Sequence, residues 1–206
     1  MTVLVKERYI SEEDCKKYIE FLDLHSYPGQ GKIINALGYE SSLAASKINE
    51  ETGVIPGDYD PVNKNLGALF EQTKKYAEEV FGCELDLCQA NYQNLLTGAF
   101  NPLHADATRL DGTPIHDNEI PQELEWSGLI YLNTQGQDFE GGDIYFPELN
   151  FVYSPRAGDL LLFKGDVEHQ HGVHEVTAGN RKNIVLFWAN KGNVSGFNFF
   201  DVNDKN

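Results

Sequence analysis

The sequence is poor in cysteine, methionine, tryptophan and positive charge. Cysteine occurs three times, at Cys15, Cys83 and Cys88, while methionine occurs once and tryptophan twice in 206 residues. An odd, irregularly spaced set of cysteines argues against a disulfide framework. The absence of a C-x-x-C pair argues against a zinc ribbon or a thioredoxin-type site. The expected state is free thiols in a reducing cytoplasm. Lys and Arg number 16 against 32 Asp and Glu, a formal net charge of -16. Nucleic-acid binders need a basic stripe that displaces counterions, and anionic membranes attract basic segments, so neither partner is expected. Net charge describes the whole field, and a local basic pocket remains compatible with it. The opening MTVLVKERYI carries charges where a signal peptide needs an apolar stretch. No apolar run reaches the roughly 18 residues of a membrane span.

What is present is enough for a core. Hydrophobic residues make up 41% and aromatics 12%, and the length suits one domain. Ser11 followed by Glu12, Glu13 and Asp14 predicts a helix start, with Tyr18, Ile19, Phe21 and Leu22 on its apolar face. A Gly- and Pro-rich stretch follows, then a short helix over 42–51 closed by Gly53 and a loop over 52–63. Asn63 is the expected cap of a long helix. Its apolar positions Leu66, Leu69, Phe70, Tyr76, Ala77, Val80 and Phe81 recur at spacings of three and four, and Gly82 closes it. From Glu84 the texture changes to short β-rich runs at 85–92, 126–132, 143–146, 159–163 and 183–188. The predicted fold is mainly β with N-terminal helices (α+β), a sandwich or barrel core. The expected divisions are a helical and loop region over 1–84, a β domain over 85–200 and a polar tail over 201–206.

Six histidines are present, and four concentrate in two places. The first is His104-Ala105-Asp106. In an extended strand, i and i+2 share a face, so an imidazole and a carboxylate stand side by side. That is two-thirds of a 2-His-1-carboxylate triad, the set that leaves open positions on Fe(II). The second place is His169-Gln170-His171-Gly172-Val173-His174-Glu175, which offers the missing histidine. Arg181 follows ten residues after His171, at the start of a strand. An arginine there suits a bidentate carboxylate clamp. Two other metal readings are open to the same residues. His169-x-His171-x-x-x-Glu175 matches the first half of a cupin-like site, but no histidine follows Glu175 to complete it. A zinc site from His169, His171 and His174 lacks a cysteine partner and draws on one short segment.

The segment from about Leu85 to Ala189 resembles the Fe(II)/2-oxoglutarate-dependent dioxygenase superfamily, most closely the prolyl hydroxylase type. That type includes prolyl 4-hydroxylase and prolyl 3-hydroxylase (leprecan-like) catalytic domains. The resemblance is carried, in order, by Gly98-Ala99-Phe100 before His104-Ala105-Asp106; by Ser127-Gly128-Leu129-Ile130-Tyr131-Leu132-Asn133; by Phe139-Glu140-Gly141-Gly142-Asp143; by Pro155-Arg156-Ala157-Gly158-Asp159; and by the run from His171 to Arg181. It implies a double-stranded β-helix (jelly-roll) core flanked by helices. It implies His104, Asp106 and His171 as iron ligands, Arg181 as the residue holding the distal carboxylate of 2-oxoglutarate, and Tyr131 as a second contact to it. The sequence departs from the family at Asn101, where a tyrosine is frequent. It departs again at Phe187, where the nucleic-acid demethylase branch has a second arginine.

The implied activity is hydroxylation of an unactivated C–H with Fe(II), 2-oxoglutarate and O2, releasing succinate and CO2, with ascorbate as reductant. The expected target is a prolyl residue of a peptide or protein. The alternatives are the same chemistry on another residue or a small molecule, and a catalytically silent binding module. Arg109 and Trp188 are candidate substrate contacts. The stretches 27–63 and 107–125 are candidate lids. The barrel mouth is expected to be locally neutral or basic, and the protein a monomer or weak dimer.

Overall fold

A computed structural model describes residues 3–25, 61–113 and 124–192. The expected helix over 42–51, most of the two candidate lids and the polar tail lie outside the described residues. Helix α1 spans Glu12–His25. The Ser11 hydroxyl accepts the Asp14 N–H at 3.1 Å and donates to Asp14 Oδ2 at 2.6 Å, so the expected cap forms. Helix α2 spans Pro61–Phe81. Pro61 opens it in place of Asn63, because proline at the first helical position sets φ and needs no N–H partner. Gly82, with φ of 72°, ends it by donating its N–H to the Glu78 carbonyl.

Among the described residues, eleven strands follow the order β1 (Leu4–Lys6), β2 (Leu85–Leu95), β3 (Asn101–His104), β4 (Trp126–Tyr131), β5 (Phe139–Gly141), β6 (Ile144–Phe146), β7 (Phe151–Tyr153), β8 (Leu160–Lys164), β9 (His171–Val173), β10 (Val176–Gly179) and β11 (Arg181–Asn190). The major sheet has the order β1-β8-β4-β11-β2 and the minor sheet β3-β9-β6-β7, with β10 and β5 as a separate pair. Pairing is antiparallel throughout these sheets. The N-terminal region is not purely helical: β1 hydrogen-bonds to β8, pairing Leu4 with Leu162.

The major sheet is buried on both faces, which explains why β8 reads as an unbroken Leu-Leu-Leu-Phe run rather than an alternation. One face packs under the helices. Its side chains are Ile130, Leu132, Leu160, Leu162, Ile184, Leu186 and Trp188, set against Cys15, Tyr18 and Leu22 of α1 and Leu66, Leu69, Phe70 and Ala77 of α2. The other face meets the minor sheet. There Leu129, Tyr131, Leu161, Phe163 and Val185 pack on Ile144, Phe146 and Val173. Strand alternation therefore divides β11 into helix-facing even residues and interior-facing odd residues. A side chain at Gly128 would place Cβ 2.6 Å from the Trp188 ring, so glycine is required for the indole to lie flat on β4.

Candidate active site

His104 ends β3 and His171 begins β9, and the two are direct cross-strand partners. Their rings lie 4.5 Å apart. Strand β3 stops at His104, so Asp106 sits in the bend beyond it rather than on the strand. That bend is fixed by the Ala107 N–H donating to the Gly165 carbonyl at 2.8 Å. Asp106 Oδ1 comes to 3.5 Å from His104 Nε2 and 3.9 Å from His171 Nε2. The ligating atoms of His104, Asp106 and His171 all lie within 4.8 Å of one another, the one such cluster among the described residues. The rival set of His169, His171 and His174 does not converge. His169 is buried with Nδ1 at 2.6 Å from Asp166 Oδ1, and exposed His174 stacks on Tyr145 at 4.5 Å.

Each donor is oriented by a neighbour. His104 Nδ1 lies 2.8 Å from the Pro102 carbonyl and His171 Nδ1 lies 3.1 Å from the His169 carbonyl. A carbonyl only accepts, so both Nδ1 atoms carry a proton and both Nε2 atoms face the cluster, where loss of any Nε2 proton leaves a lone pair for a metal. Ser127, buried on β4, donates its hydroxyl to Asp106 Oδ2 at 2.5 Å, leaving Oδ1 toward the histidines. Phe146 and Phe163 back the His171 ring at 5.2 Å and 4.8 Å. Burial works against the Asp106 carboxylate, yet His171, His104 and the Ser127 hydroxyl hold it down at about 2. Burial lowers His171 to about 4, against the pull of Asp106. An ionised carboxylate beside a neutral imidazole is the protonation state that a divalent metal requires.

Arg181 is fully buried at the start of β11, facing the same interior at its other end. Its Nη1 donates to Asn183 Oδ1 at 2.7 Å, and its Nη2 reaches the Tyr131 hydroxyl at 3.4 Å. Its Nε has no hydrogen-bond partner, and among the described residues no carboxylate lies within ion-pair distance. Burial lowers its pKa, opposed by Tyr131 and more weakly by Asp143. Gly142, with φ of 71°, sits against the stem: a Cβ there would lie 3.0 Å from Arg181 Cδ. A buried guanidinium with an unsatisfied edge calls for an anion, and a ligand carboxylate supplies both the charge and the acceptors.

Residues 89–190 match the family model of the 2OG-Fe(II) oxygenase superfamily. This chain carries a 2OG-Fe(II) oxygenase domain. Prolyl 3-hydroxylase 3 of Homo sapiens is 38% identical over 99 residues, which cover 43% of this chain and 13% of that protein. Viral collagen prolyl hydroxylase from Paramecium Bursaria Chlorella virus-1, solved as a 2OG complex, aligns with a TM-score of 0.63 at 15% identity, covering 92% of this chain and 96% of that one. A prolyl hydroxylase from Trichoplax adhaerens, solved with a hypoxia inducible factor peptide fragment, aligns at 0.61 and 16% identity over 93% and 84%. At such identities the likeness is one of fold: the oxygenase domain is a jelly roll with helices on its major sheet.

Two expectations about substrate contacts fare differently. Trp188 is fully buried on the helix-facing side of β11, in the cluster under α1 and α2, so it cannot meet a ligand in the barrel. Its neighbour Phe187 points inward, opposite Ser127 in register, and packs on the interior cluster and beside Ala107 and Leu124. Phe187 is therefore the aromatic that β11 contributes to the metal end, and parity along β11 from Arg181 is the signal that identifies it. Arg109 lies exposed on a tight turn, its N–H donating to the Thr113 carbonyl at 2.7 Å. Lys164 pairs with Asp166 at 3.2 Å, and Asp111 is held down first by the Thr113 hydroxyl and N–H and then by Arg109. An open cleft of about 830 Å³ lies elsewhere, lined by Arg8, Thr134, Arg156 and Asp159, and none of the converging side chains enters it.

Proposed function

We propose that this chain hydroxylates a prolyl residue of a peptide or protein, with Fe(II) held by His104, Asp106 and His171 and 2-oxoglutarate held by Arg181 and Tyr131. The observation that carries the reading is the pairing of a metal-competent triad with a buried, uncompensated arginine in one barrel interior. When bound, the iron and its cosubstrate supply the oxidising power for C–H hydroxylation, with succinate and CO2 as coproducts. The protein's own contribution is positional. Ser127 and two main-chain carbonyls aim the donors, Phe146 and Phe163 keep water from His171, and Arg181 anchors the cosubstrate at the closed end. Phe187 supplies an apolar wall next to the triad for a ring such as that of proline. The named activity of the matched relatives supports proline as the target. Because the aligned stretch covers 13% of such a relative, the substrate is inferred from the site and that stretch together.

Ascorbate as reductant, a cytoplasmic setting and a monomer or weak dimer belong to the same proposal, supported by the free thiols Cys15 and Cys83 for the reducing setting. The test is incubation with Fe(II), 2-oxoglutarate, O2 and proline-rich peptides. The expected result is succinate together with a peptide heavier by one oxygen at proline, both lost in His104→Ala. Succinate without proline modification would move the target to another residue or a small molecule. Absence of both would leave the silent binding module.

A further inference from the structure

Among the described residues, the hydrogen-bond partners of Arg181 are neutral, and that arrangement is built rather than incidental. Asn133 fixes the main chain on both sides of it: Asn133 Nδ2 donates to the Asn180 carbonyl at 2.7 Å, and Asn133 Oδ1 accepts the Lys182 N–H at 2.9 Å. The side chain is then pinned once, at Nη1, by Asn183 Oδ1. Asn183 is fully buried, and its amide is oriented by Nδ2 donating to Gln93 Oε1 on β2 at 3.1 Å. Gln93 and Asn183 are register partners across β2 and β11, so the sheet itself sets this contact. With Nη1 engaged, the guanidinium keeps its Nε–Nη2 edge for a ligand. Nε is unpartnered, and Nη2 has only the long contact to Tyr131. Two parallel N–H donors on one edge are the geometry that grips a carboxylate bidentately.

We propose that Asn183, oriented by Gln93, is a positioning residue that turns the Nε–Nη2 edge of Arg181 toward the distal carboxylate of the cosubstrate and, by being neutral, leaves the Arg181 charge free for it. The proposal rests on the function proposed above and adds to it why an amide stands at residue 183. An aspartate of the same shape would form an internal ion pair with Arg181 and compete with the ligand. An alanine would release the guanidinium to rotate without quenching its charge. The order of damage is therefore Asn183→Asp first, Asn183→Ala second.

The experiment uses the full chain loaded with Mn(II) and compares calorimetric binding of 2-oxoglutarate with that of 2-oxobutyrate, which has the same chelating end and no distal carboxylate. In the parent chain 2-oxoglutarate is expected to bind at least about 30-fold tighter, the scale of a buried charge pair. Asn183→Asp is expected to remove most of that preference, leaving 2-oxobutyrate affinity and Mn(II) affinity by electron paramagnetic resonance within about twofold. Asn183→Ala is expected to weaken 2-oxoglutarate about 3- to 10-fold, the scale of one hydrogen bond to a charged group. Equal loss of both acids, or an unchanged preference in Asn183→Asp, would overturn the proposal. If the aspartate variant does not fold, the alanine variant decides alone: retention of the full preference overturns it. A parent chain that binds Mn(II) but shows no preference between the two acids would instead overturn the assignment of Arg181 and the function that depends on it.

Discussion

The two ends of the barrel interior solve opposite problems. At the triad end, every donor has a partner of complementary polarity: carbonyls for the two Nδ1 protons, a hydroxyl for the spare carboxylate oxygen. At the arginine end, one buried positive charge has an amide and a tyrosine hydroxyl, and among the described residues no carboxylate within ion-pair distance. The triad end is fixed in its geometry before anything binds, while the inward-facing Nε2 and Oδ1 atoms present negative character that calls for a cation. The arginine end is left unbalanced, so the free energy of restoring balance goes into ligand binding rather than into folding. The contrast teaches that preorganisation fixes the atoms facing away from the ligand and leaves those facing it open, for a cation at one end and an anion at the other.

The most severe loss is expected from Asp106→Ala. Two neutral imidazoles without the carboxylate should bind Mn(II) at least about 100-fold more weakly, with turnover falling to background and the fold intact by circular dichroism. Arg181→Met sharpens the other side. It should abolish the preference for 2-oxoglutarate over 2-oxobutyrate while leaving the stability of the ligand-free chain within about 1 kcal/mol of the parent or above it, as urea unfolding would show. A large loss of stability would mean that Arg181 is structural. Ser127→Ala should cost about 10- to 100-fold in metal affinity, with Ser127→Thr restoring most of it. A Co(II) absorption spectrum checks the same point, because release of Asp106 Oδ2 changes the coordination that the spectrum reports.

Smaller effects separate adjacent residues. Trp188→Phe should lower stability by about 1–3 kcal/mol without changing KM for peptide, while Phe187→Ala should raise that KM with a smaller change in stability. The reverse pattern would mean that the two faces of β11 are wrongly assigned. The least effect is expected at Cys15, whose Sγ lies 3.7 Å from the Tyr131 carbonyl. Burial pushes this thiol up to about 12. Folding therefore favours its neutral form. The stability it contributes is intact below the ordinary thiol range and declines as pH rises from about 9 toward 12. Peptide mapping after iodoacetamide at mildly alkaline pH should find Cys15 unmodified in the native chain and modified after unfolding.

The sequence carries the triad legibly because a metal constrains residue type and local spacing together: His-x-Asp, then a histidine, with an arginine ten residues after it at the start of β11. Long elements are legible for the same reason, since α2 and β11 contain enough residues to show a period. Short ones are not. Strands β1, β5 and β9 have three residues each, too few for alternation to register. Ser127, Asn183 and Gln93 escape a reading of the sequence for a different reason. Their roles arise from register between strands far apart in the chain, and register is a property of the folded sheet. Trp188 as a candidate substrate contact fails because its side chain lies on the helix-facing side, and one residue along a strand means the opposite face. Counting parity from Arg181 selects Phe187.

The position of β11 has a consequence for how this chain is made. It lies between β4 and β2 in the major sheet, yet it is the last of the eleven strands to leave the ribosome. Until Arg181–Asn190 has emerged, β2 and β4 each wait with an unfilled edge, and their apolar faces have no finished layer to cover them. Folding is thereby delayed until β11 has emerged and is dominated by contacts distant in sequence, which places it among slow β topologies, on the order of milliseconds to seconds. The strand that brings Arg181 and Phe187 into the interior is also the strand that fills the gap in the sheet, so a nascent chain assembles its candidate binding site and covers its apolar sheet faces in the same step.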